Sequence, residues 1–207
     1  MSLSLAPSRP VLADRALPAV LRLTKGRSVA TDATLVAGGA LLTAVLAQVE
    51  VPLWPVPITG QTLAVLLVGA SLGPVRGGLS MVLYALAGAL GSPVFSDLAS
   101  GPATLLGPTG GYIVGFVLAA AATGWLAQRR WERGLLRGMI AFVAGSAVVF
   151  LVGLPWLKVA LGLDWGATIT SGLTPFIVGG VIKAAIAALV LRGAWALVDR
   201  ADAAKRP

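Results

Sequence analysis

Long stretches without a charged residue divide this chain of 207 residues. A helix needs about 20 mostly apolar residues to cross the hydrocarbon core of a bilayer, and six charge-free stretches reach or approach that length. They run from Asp32 to Glu50, Glu50 to Arg76, Arg76 to Asp97, Asp97 to Arg129, Arg137 to Lys158 and Asp164 to Lys183. The pattern predicts an all-α membrane protein with about six transmembrane helices.

The composition agrees with this interpretation. Hydrophobic residues make up 57% of the chain and charged residues only 12%, about half the charged fraction of ordinary globular domains. The mean hydropathy is +0.90. A water-soluble core cannot bury so much apolar surface, so a soluble domain is excluded.

The formal net charge is +8, and the basic residues are distributed along the chain as expected for a membrane protein. If the N-terminus is cytoplasmic, every basic residue lies in an inside segment except Lys158, in an outside loop, and Lys183, within a membrane segment. Glu50, Asp97 and Asp164 then mark the three outside loops. We therefore expect both termini in the cytoplasm, a multi-pass protein surrounded by membrane lipid, and no nucleic-acid partner.

The chain is expected to have three parts. Residues 1–31 form a basic cytoplasmic segment, either a mobile tail or a short surface helix near anionic headgroups. Residues 32–198 form a six-helix transmembrane substrate-binding domain, and residues 199–207 a cytoplasmic tail. The predicted helices are 32–49, 61–73, 75–91, 109–128, 136–156 and 172–198.

Two outer loops are predicted to be irregular. Pro52, Pro55 and Pro57 forbid a regular helix in the first loop (residues 50–60), and the third loop (residues 91–111) is rich in Gly and Pro. Non-helical backbone at membrane depth is tolerated only where it is buried in protein or lines a cavity. The loops are therefore expected to cover a ligand site; ordinary turn chemistry is the alternative.

Lys183 lies near the middle of the last apolar segment. A cation at that depth is costly unless it faces a polar cavity or has a partner, so it is a functional candidate by default. The alternative is a structural pairing of Lys183 with Asp97 or Asp164.

Two further positions offer polar groups to a ligand. The amide of Gln61 can both donate and accept hydrogen bonds, although it could equally cap backbone groups. The segment 107–112 ends at a predicted helix start, where free amides can receive an anion such as a carboxylate.

Several chemistries are excluded or disfavoured. The chain has no histidine and no cysteine, which removes thiol nucleophiles and the usual zinc sites, and we expect no cofactor. No Walker A sequence is present, so ATP dependence would need other chains. An intramembrane enzyme is disfavoured because no acidic residue lies in a predicted helix core, and an inverted-repeat carrier because no internal repeat is visible.

Small residues on the first predicted helix recur at four-residue spacing, which lets another transmembrane helix pack closely. The face could dock a partner or pack within the bundle itself. It is formed by Ala33, Ala37, Ala40 and Ala44.

Four blocks in this order and spacing resemble one known family. They read VPITGQTLAVLLVGASLGP at 56–74, YALAGALGSPVF at 84–95, LLGPTGGYIVGF at 105–116 and PFIVGGVIKAAIA at 175–187. The sequence resembles BioY, the biotin-binding S component of energy-coupling factor (ECF) transporters.

The resemblance implies high-affinity biotin capture and uptake across a bacterial cell membrane by a non-enzymatic subunit. Biotin would lie beneath the first and third loops. The alanine face of the first helix would dock to a membrane-embedded T component, which ABC-type ATPase subunits drive. A stand-alone carrier or channel for biotin or another small solute is the alternative.

Gln61, Tyr112 and Lys183 match polar and aromatic positions of the family motifs. Gly180 and Ile113 depart from them, because many relatives have an acidic residue three positions before the lysine and some an Arg after the tyrosine. We hypothesise that Asp97 or Asp164 replaces the missing acid, and that Trp54 contributes to the apolar wall. The predicted ligand-binding residues are Thr59, Gln61, Tyr84, Phe95, Asp97, Thr109, Gly110, Gly111, Tyr112 and Lys183.

Overall fold

The computed structural model describes residues 10–16 and 29–204, and most of them are helical. Two very short strands interrupt the helices. The helices are α1 (Leu12–Ala16), α2 (Val29–Ala47), α3 (Gln61–Leu72), α4 (Pro74–Ala89), α5 (Pro102–Leu106), α6 (Gly110–Ala127), α7 (Leu135–Leu161), α8 (Trp165–Gly172) and α9 (Phe176–Ala203).

Four of these helices, α2, α6, α7 and α9, are long and apolar enough to cross a membrane. With 12 and 16 residues, α3 and α4 extend about 18 and 24 Å at 1.5 Å per residue, whereas the hydrocarbon core is about 30 Å thick. Helix length alone therefore supports four of the six predicted crossings. The expectation that the second helix is too short to span alone is confirmed.

The α3–α4 turn is built around one glycine. Gly73 has φ +86° and Pro74 opens α4; only glycine adopts such a φ freely, and proline suits a first helical position. Gly124 of α6 approaches the turn so closely that a Cβ there would overlap the carbonyl carbon of Gly73. Helix α6 thus packs against α3 and α4 as well as α7.

The last two predicted helices differ from the structure. Helix α7 continues through Pro155 to Leu161 and ends at Gly162, which has φ +65°. Lys158 therefore lies in a last helical turn and not in a loop. The prediction that the final helix begins at 172 is wrong: Asp164 caps a separate helix, α8, by accepting a 2.8 Å hydrogen bond from the amide of Ala167.

The first loop is non-helical, as its prolines predict. Strand β1 (Glu50–Val51) pairs antiparallel with β2 (Ile58–Thr59), with Glu50 opposite Thr59. The peptide bond between Trp54 and Pro55 at the tip is cis. The third loop contains a 3₁₀ turn, Ser96–Leu98, followed by α5.

The basic N-terminal segment does not behave as a mobile tail where the structure describes it. Helix α1 packs against α3 and α9, and Val11 is only 1% exposed. The buried guanidinium of Arg76 lies 2.8 Å from a carboxylate oxygen of Asp14 and 2.6 Å from one of Asp32. From the sequence alone, Arg76 is an ordinary cation of an inside loop. In the structure its charge is buried, and its ion pair with Asp14 holds the N-terminal segment in place. The rest of the predicted segment, 1–9 and 17–28, and the tail at 205–207 lie outside the described residues.

Candidate functional site

A buried hydrogen-bonded chain joins the first loop to α3 and α4. The hydroxyl of Thr59 donates to Oε1 of Gln61 over 2.7 Å, and Nε2 of Gln61 donates to the hydroxyl of Tyr84. Thr59 and Gln61 are each 7% exposed and Tyr84 1%. Buried polar groups are costly unless they are hydrogen-bonded, so this network fixes the orientation of the Gln61 amide.

Lys183 lies beside this network. Its ammonium donates to the backbone oxygen of Thr59 over 2.6 Å and to the hydroxyl of Thr62 over 3.1 Å. An ammonium has three donors, and these contacts account for two. Within residues 10–16 and 29–204, Lys183 forms no ion pair, so the cation is solvated by neutral oxygens alone.

An aromatic pair lies at one side of the site, where Phe95 lines the cavity and Tyr84 packs against Phe95 without lining it. Phe95 of the third loop is 1% exposed and meets the ring of Tyr84 edge to face, with ring centroids 5.4 Å apart. Gly88 of α4 lies under the Phe95 ring, where any Cβ would overlap it. The absence of a side chain at position 88 therefore leaves room for the Phe95 ring to pack against α4.

Three more aromatic rings form the opposite wall. Tyr112 stacks with Phe176 at 6.4 Å, and Phe150 meets both rings edge to face at 6.1 and 5.9 Å. The Tyr112 hydroxyl donates to the backbone oxygen of Gly172 over 2.9 Å. This bond fixes α6 to the end of α8.

The two walls and the polar network enclose a cavity of about 40 Å³. One water molecule needs roughly 10–15 Å³ on this scale, so the cavity has room for water, whereas ligand pockets usually measure about 300 Å³ or more. A second, apolar feature of about 520 Å³ is an open groove between α7, α8 and α9. Phe150 and Phe176 line both the small cavity and this groove. The predicted residues that line the small cavity are Thr59, Gln61, Phe95, Thr109, Tyr112 and Lys183.

Two acidic candidates lie away from the ammonium. Asp97 is exposed on the third loop, and the carboxylate of Asp164 caps α8. Neither forms an ion pair with Lys183, so the structure does not support the hypothesis that one of them replaces an acid at position 180. Trp54 is 82% exposed at the hairpin tip and does not line the small cavity.

The start of α6 is partly satisfied by its own backbone. The amides of Gly110 and Tyr112 donate to the carbonyls of Gly107 and Thr109 over 3.1 and 3.0 Å. Gly110 also allows close contact with Leu105, and Gly111 with Trp156 of α7. These glycines have a packing role whether or not the helix start receives an anion.

Sequence reasoning missed three residues of the site. Thr62 lies one position after Gln61 and contacts Lys183; its place at the predicted helix start was the available signal. Phe150 and Phe176 lie in long apolar runs, where nothing local distinguishes a cavity-lining ring from a lipid-facing one.

The predicted small-residue face of α2 is divided along its length. Ala33 and Ala37 are exposed, whereas Ala40 is buried and Ala44 packs against the core. An apolar groove of about 330 Å³ runs between α2 and α4 beside Ala33. The buried half of this face therefore packs within the bundle, whereas docking of a partner at the exposed half stays a prediction.

Comparisons with known proteins agree on one family. The model of the BioY family matches residues 18–200. A probable biotin transporter BioY of Pyrococcus horikoshii is 40% identical over 161 residues, covering 78% of this chain and 94% of that protein. Biotin transporter BioY2 of Lactococcus lactis subsp. cremoris is 37% identical over 152 residues, covering 73% of this chain and 82% of that protein.

A solved structure shares the fold. The S-component for biotin from an ECF-type ABC transporter superposes with a TM-score of 0.69 at 24% sequence identity, and the alignment covers 81% of this chain and 93% of that one. The family model spans most of the chain, including both irregular loops and the Lys183 segment. The chain belongs to the BioY family.

Proposed function

We propose that this chain is the substrate-binding S component of an ECF-type transporter and captures biotin for uptake across the cell membrane. The relatives that support this substrate are themselves named biotin transporters. The observation that carries the proposal is the position of the Lys183 ammonium beside Gln61, in a cavity beneath the first and third loops.

The chemistry of the cavity suits biotin. Biotin carries a ureido group and a carboxylate at opposite ends of an apolar body, and a site for it needs a few fixed polar groups and apolar walls. Gln61 offers an amide, and Lys183 offers the one ammonium donor that its contacts with Thr59 and Thr62 leave over. Both lie in one cluster, so both meet the same end of the ligand, while Phe95 and Tyr112 contact the apolar body.

Binding requires the site to open. The cavity of about 40 Å³ is too small for such a ligand, so Phe95 and the first loop must move outward to admit it. Phe150 and Phe176 line both the small cavity and the groove beside it, so rotation of their rings would give the ligand additional room.

The membrane arrangement follows from the same assignment. We place both termini in the cytoplasm of a bacterial cell, with α3 and α4 completing six crossings together with the four longer helices. Residues 32–198 then form the transmembrane substrate-binding domain, flanked by the cytoplasmic segments 1–31 and 199–207. The loops that cover the site face outward.

The partners are a membrane-embedded T component and ABC-type ATPase subunits. We place the docking surface at the exposed half of the alanine face, Ala33 and Ala37, next to the groove between α2 and α4. Ala40 and Ala44 contribute indirectly, because they pack within the bundle and set the position of α2.

Uptake of labelled biotin by cells that lack their own biotin uptake system tests the proposal. Cells that express this chain together with a T component and ATPase subunits are expected to accumulate biotin, and cells that express an ATPase-inactive module are not. Equal uptake by the chain alone would instead support a stand-alone carrier. No uptake in any combination would contradict biotin transport.

A further inference from the structure

The side chain of Gln48 holds the third loop through both atoms of its amide. Gln48 follows the last residue of α2; its Nε2 donates to the backbone oxygen of Phe95 over 2.9 Å, and its Oε1 accepts from the amide of Leu98 over 3.2 Å. Nε2 also lies 3.1 Å from the backbone oxygen of Ala44, so the amide is anchored to its own helix. Such paired bonds fix the loop in both distance and orientation.

The segment that Gln48 brackets has an unfavourable backbone. Asp97 and Leu98 have φ values of +55° and +51°. Asp tolerates this left-handed region, whereas for Leu98 the conformation is unfavourable. Such conformations persist where surrounding contacts impose them, and they are common at ligand clamps. The two hydrogen bonds of Gln48 lie at either side of Asp97 and supply this restraint.

The restrained loop reaches the cavity through Phe95. The backbone oxygen of Phe95 accepts a hydrogen bond from Gln48. The Phe95 ring lines the cavity and packs on Tyr84, whose hydroxyl accepts a hydrogen bond from Gln61. Gln48 itself does not line the cavity. A change at Gln48 therefore acts on the ligand through the position of Phe95.

We infer that Gln48 is a positioning residue that holds the third loop closed over the site and so slows the departure of the ligand. The inference rests on the proposed function insofar as the ligand used to test it is biotin. Loss of the two bonds lets the turn at Asp97 and Leu98 relax and lets the Phe95 ring move away from Gly88. The loop must open both to admit and to release the ligand, so the dissociation rate then rises and the association rate does not fall.

Association and dissociation rates of radiolabelled biotin, measured on the purified full chain in detergent, test this. Gln48→Met keeps the side-chain length but removes both bonds; koff is expected to rise by roughly tenfold, because two hydrogen bonds of ordinary net strength are lost. Gln48→Glu still accepts from the Leu98 amide but places a carboxylate oxygen against the backbone oxygen of Phe95, which it repels, so koff is expected to rise here too. Gln128→Met, at the far end of α6, is the matched control and leaves koff unchanged.

Hydrogen exchange at the Leu98 amide gives a readout that does not need biotin. Exchange in the ligand-free protein is expected to be faster in Gln48→Met than in Gln128→Met. A koff equal to that of the parent in either Gln48 variant would overturn the inference, and so would a loss of affinity carried by the association rate alone. If Gln48→Met does not fold, Gln48→Glu decides by the same criteria. A parent that binds no biotin would overturn the proposed function, and unchanged Leu98 exchange would then overturn the positioning role separately.

Discussion

The ammonium of Lys183 lies 2.6 Å from the backbone oxygen of Thr59, 124 positions earlier in the chain. A cation in the membrane segment of α9 is thereby attached to the loop that covers the site. Neutral oxygens and not a carboxylate solvate it in the described part of the chain, so a ligand need not displace an internal ion pair. A polar or anionic ligand group that reaches the remaining donor gains a charge-assisted hydrogen bond.

Tyr84→Phe is expected to destabilise the protein and weaken biotin binding. The substitution leaves the buried Nε2 of Gln61 without its acceptor, which costs about 1–3 kcal/mol. Unfolding in detergent, followed by circular dichroism, measures the loss of stability. Calorimetry with biotin measures the loss of affinity.

The double variant Gln61→Leu/Tyr84→Phe serves as the control for Tyr84→Phe. It removes both partners of the bond. Its loss of unfolding free energy is therefore expected to be smaller than the sum of the losses in the two single variants. Strictly additive effects would show that the Gln61–Tyr84 bond does not contribute.

Arg76→Met is expected to destabilise the fold by about 3–5 kcal/mol, since it removes a buried cation that contacts the carboxylates of Asp14 and Asp32. Arg76 is 1% exposed. Thermal unfolding in detergent measures the loss. Arg129→Met, an exposed arginine that stacks on Trp125, is the matched control with little expected effect. Equal stability of the two variants would contradict a structural role for the buried ion pairs.

Gly88→Ala is expected to displace Phe95, because the added methyl group overlaps the Phe95 ring. Overpacking of this kind costs about 1–3 kcal/mol, and biotin binding is expected to weaken because a wall of the site moves. Calorimetry with biotin measures this effect. Gly193→Ala, where a Cβ meets nothing within 4 Å, should retain the affinity of the parent. Tight binding by Gly88→Ala would show that the position of Phe95 is unimportant.

Ala37→Leu is expected to separate capture from transport. Ala37 is exposed on α2 and does not line the cavity, so the variant should bind biotin like the parent. A larger side chain on a small-residue face prevents close helix packing, so uptake together with the T component and ATPases should fall by roughly tenfold or more. Ala196→Leu, exposed on α9, should change neither property. Normal uptake by Ala37→Leu would remove this face from the docking surface.

Features that depend on one residue or a short run could be predicted from the sequence. Three prolines within 52–57 exclude a helix whatever surrounds them, and the structure has a hairpin there. The charge-free stretches at 33–49, 98–128 and 138–157 each coincide with a long helix, because the lipid requirement acts on each segment separately. The stretches at 51–75 and 77–96 hold the shorter α3 and α4. Lys183 was recognisable as a candidate because its depth in an apolar run is itself unusual.

Features set by packing between distant segments could not be predicted. Nothing near Lys183 in sequence indicates Thr59 and Thr62 as its partners, so Asp97 and Asp164 appeared equally suitable. Burial of Arg76 depends on Asp14, 62 positions away, and is invisible to charge counting. Helix α8 is different: Asp164 carries a recognisable N-cap signal, and Pro175 marks the start of α9, so this boundary was available from local chemistry.

Calorimetry of biotin binding to the purified protein tests the central claim most directly, with the parent, Lys183→Ala and the matched control Lys158→Ala compared. Lys158 lies in the last turn of α7, near the ring of Trp165, and does not line the small cavity. The parent and Lys158→Ala are expected to bind equally tightly, whereas Lys183→Ala loses affinity by about ten- to hundredfold, the worth of a hydrogen bond to a charged group. A folded parent that binds no biotin, or a Lys183→Ala variant that binds it as tightly as the parent, would contradict the account.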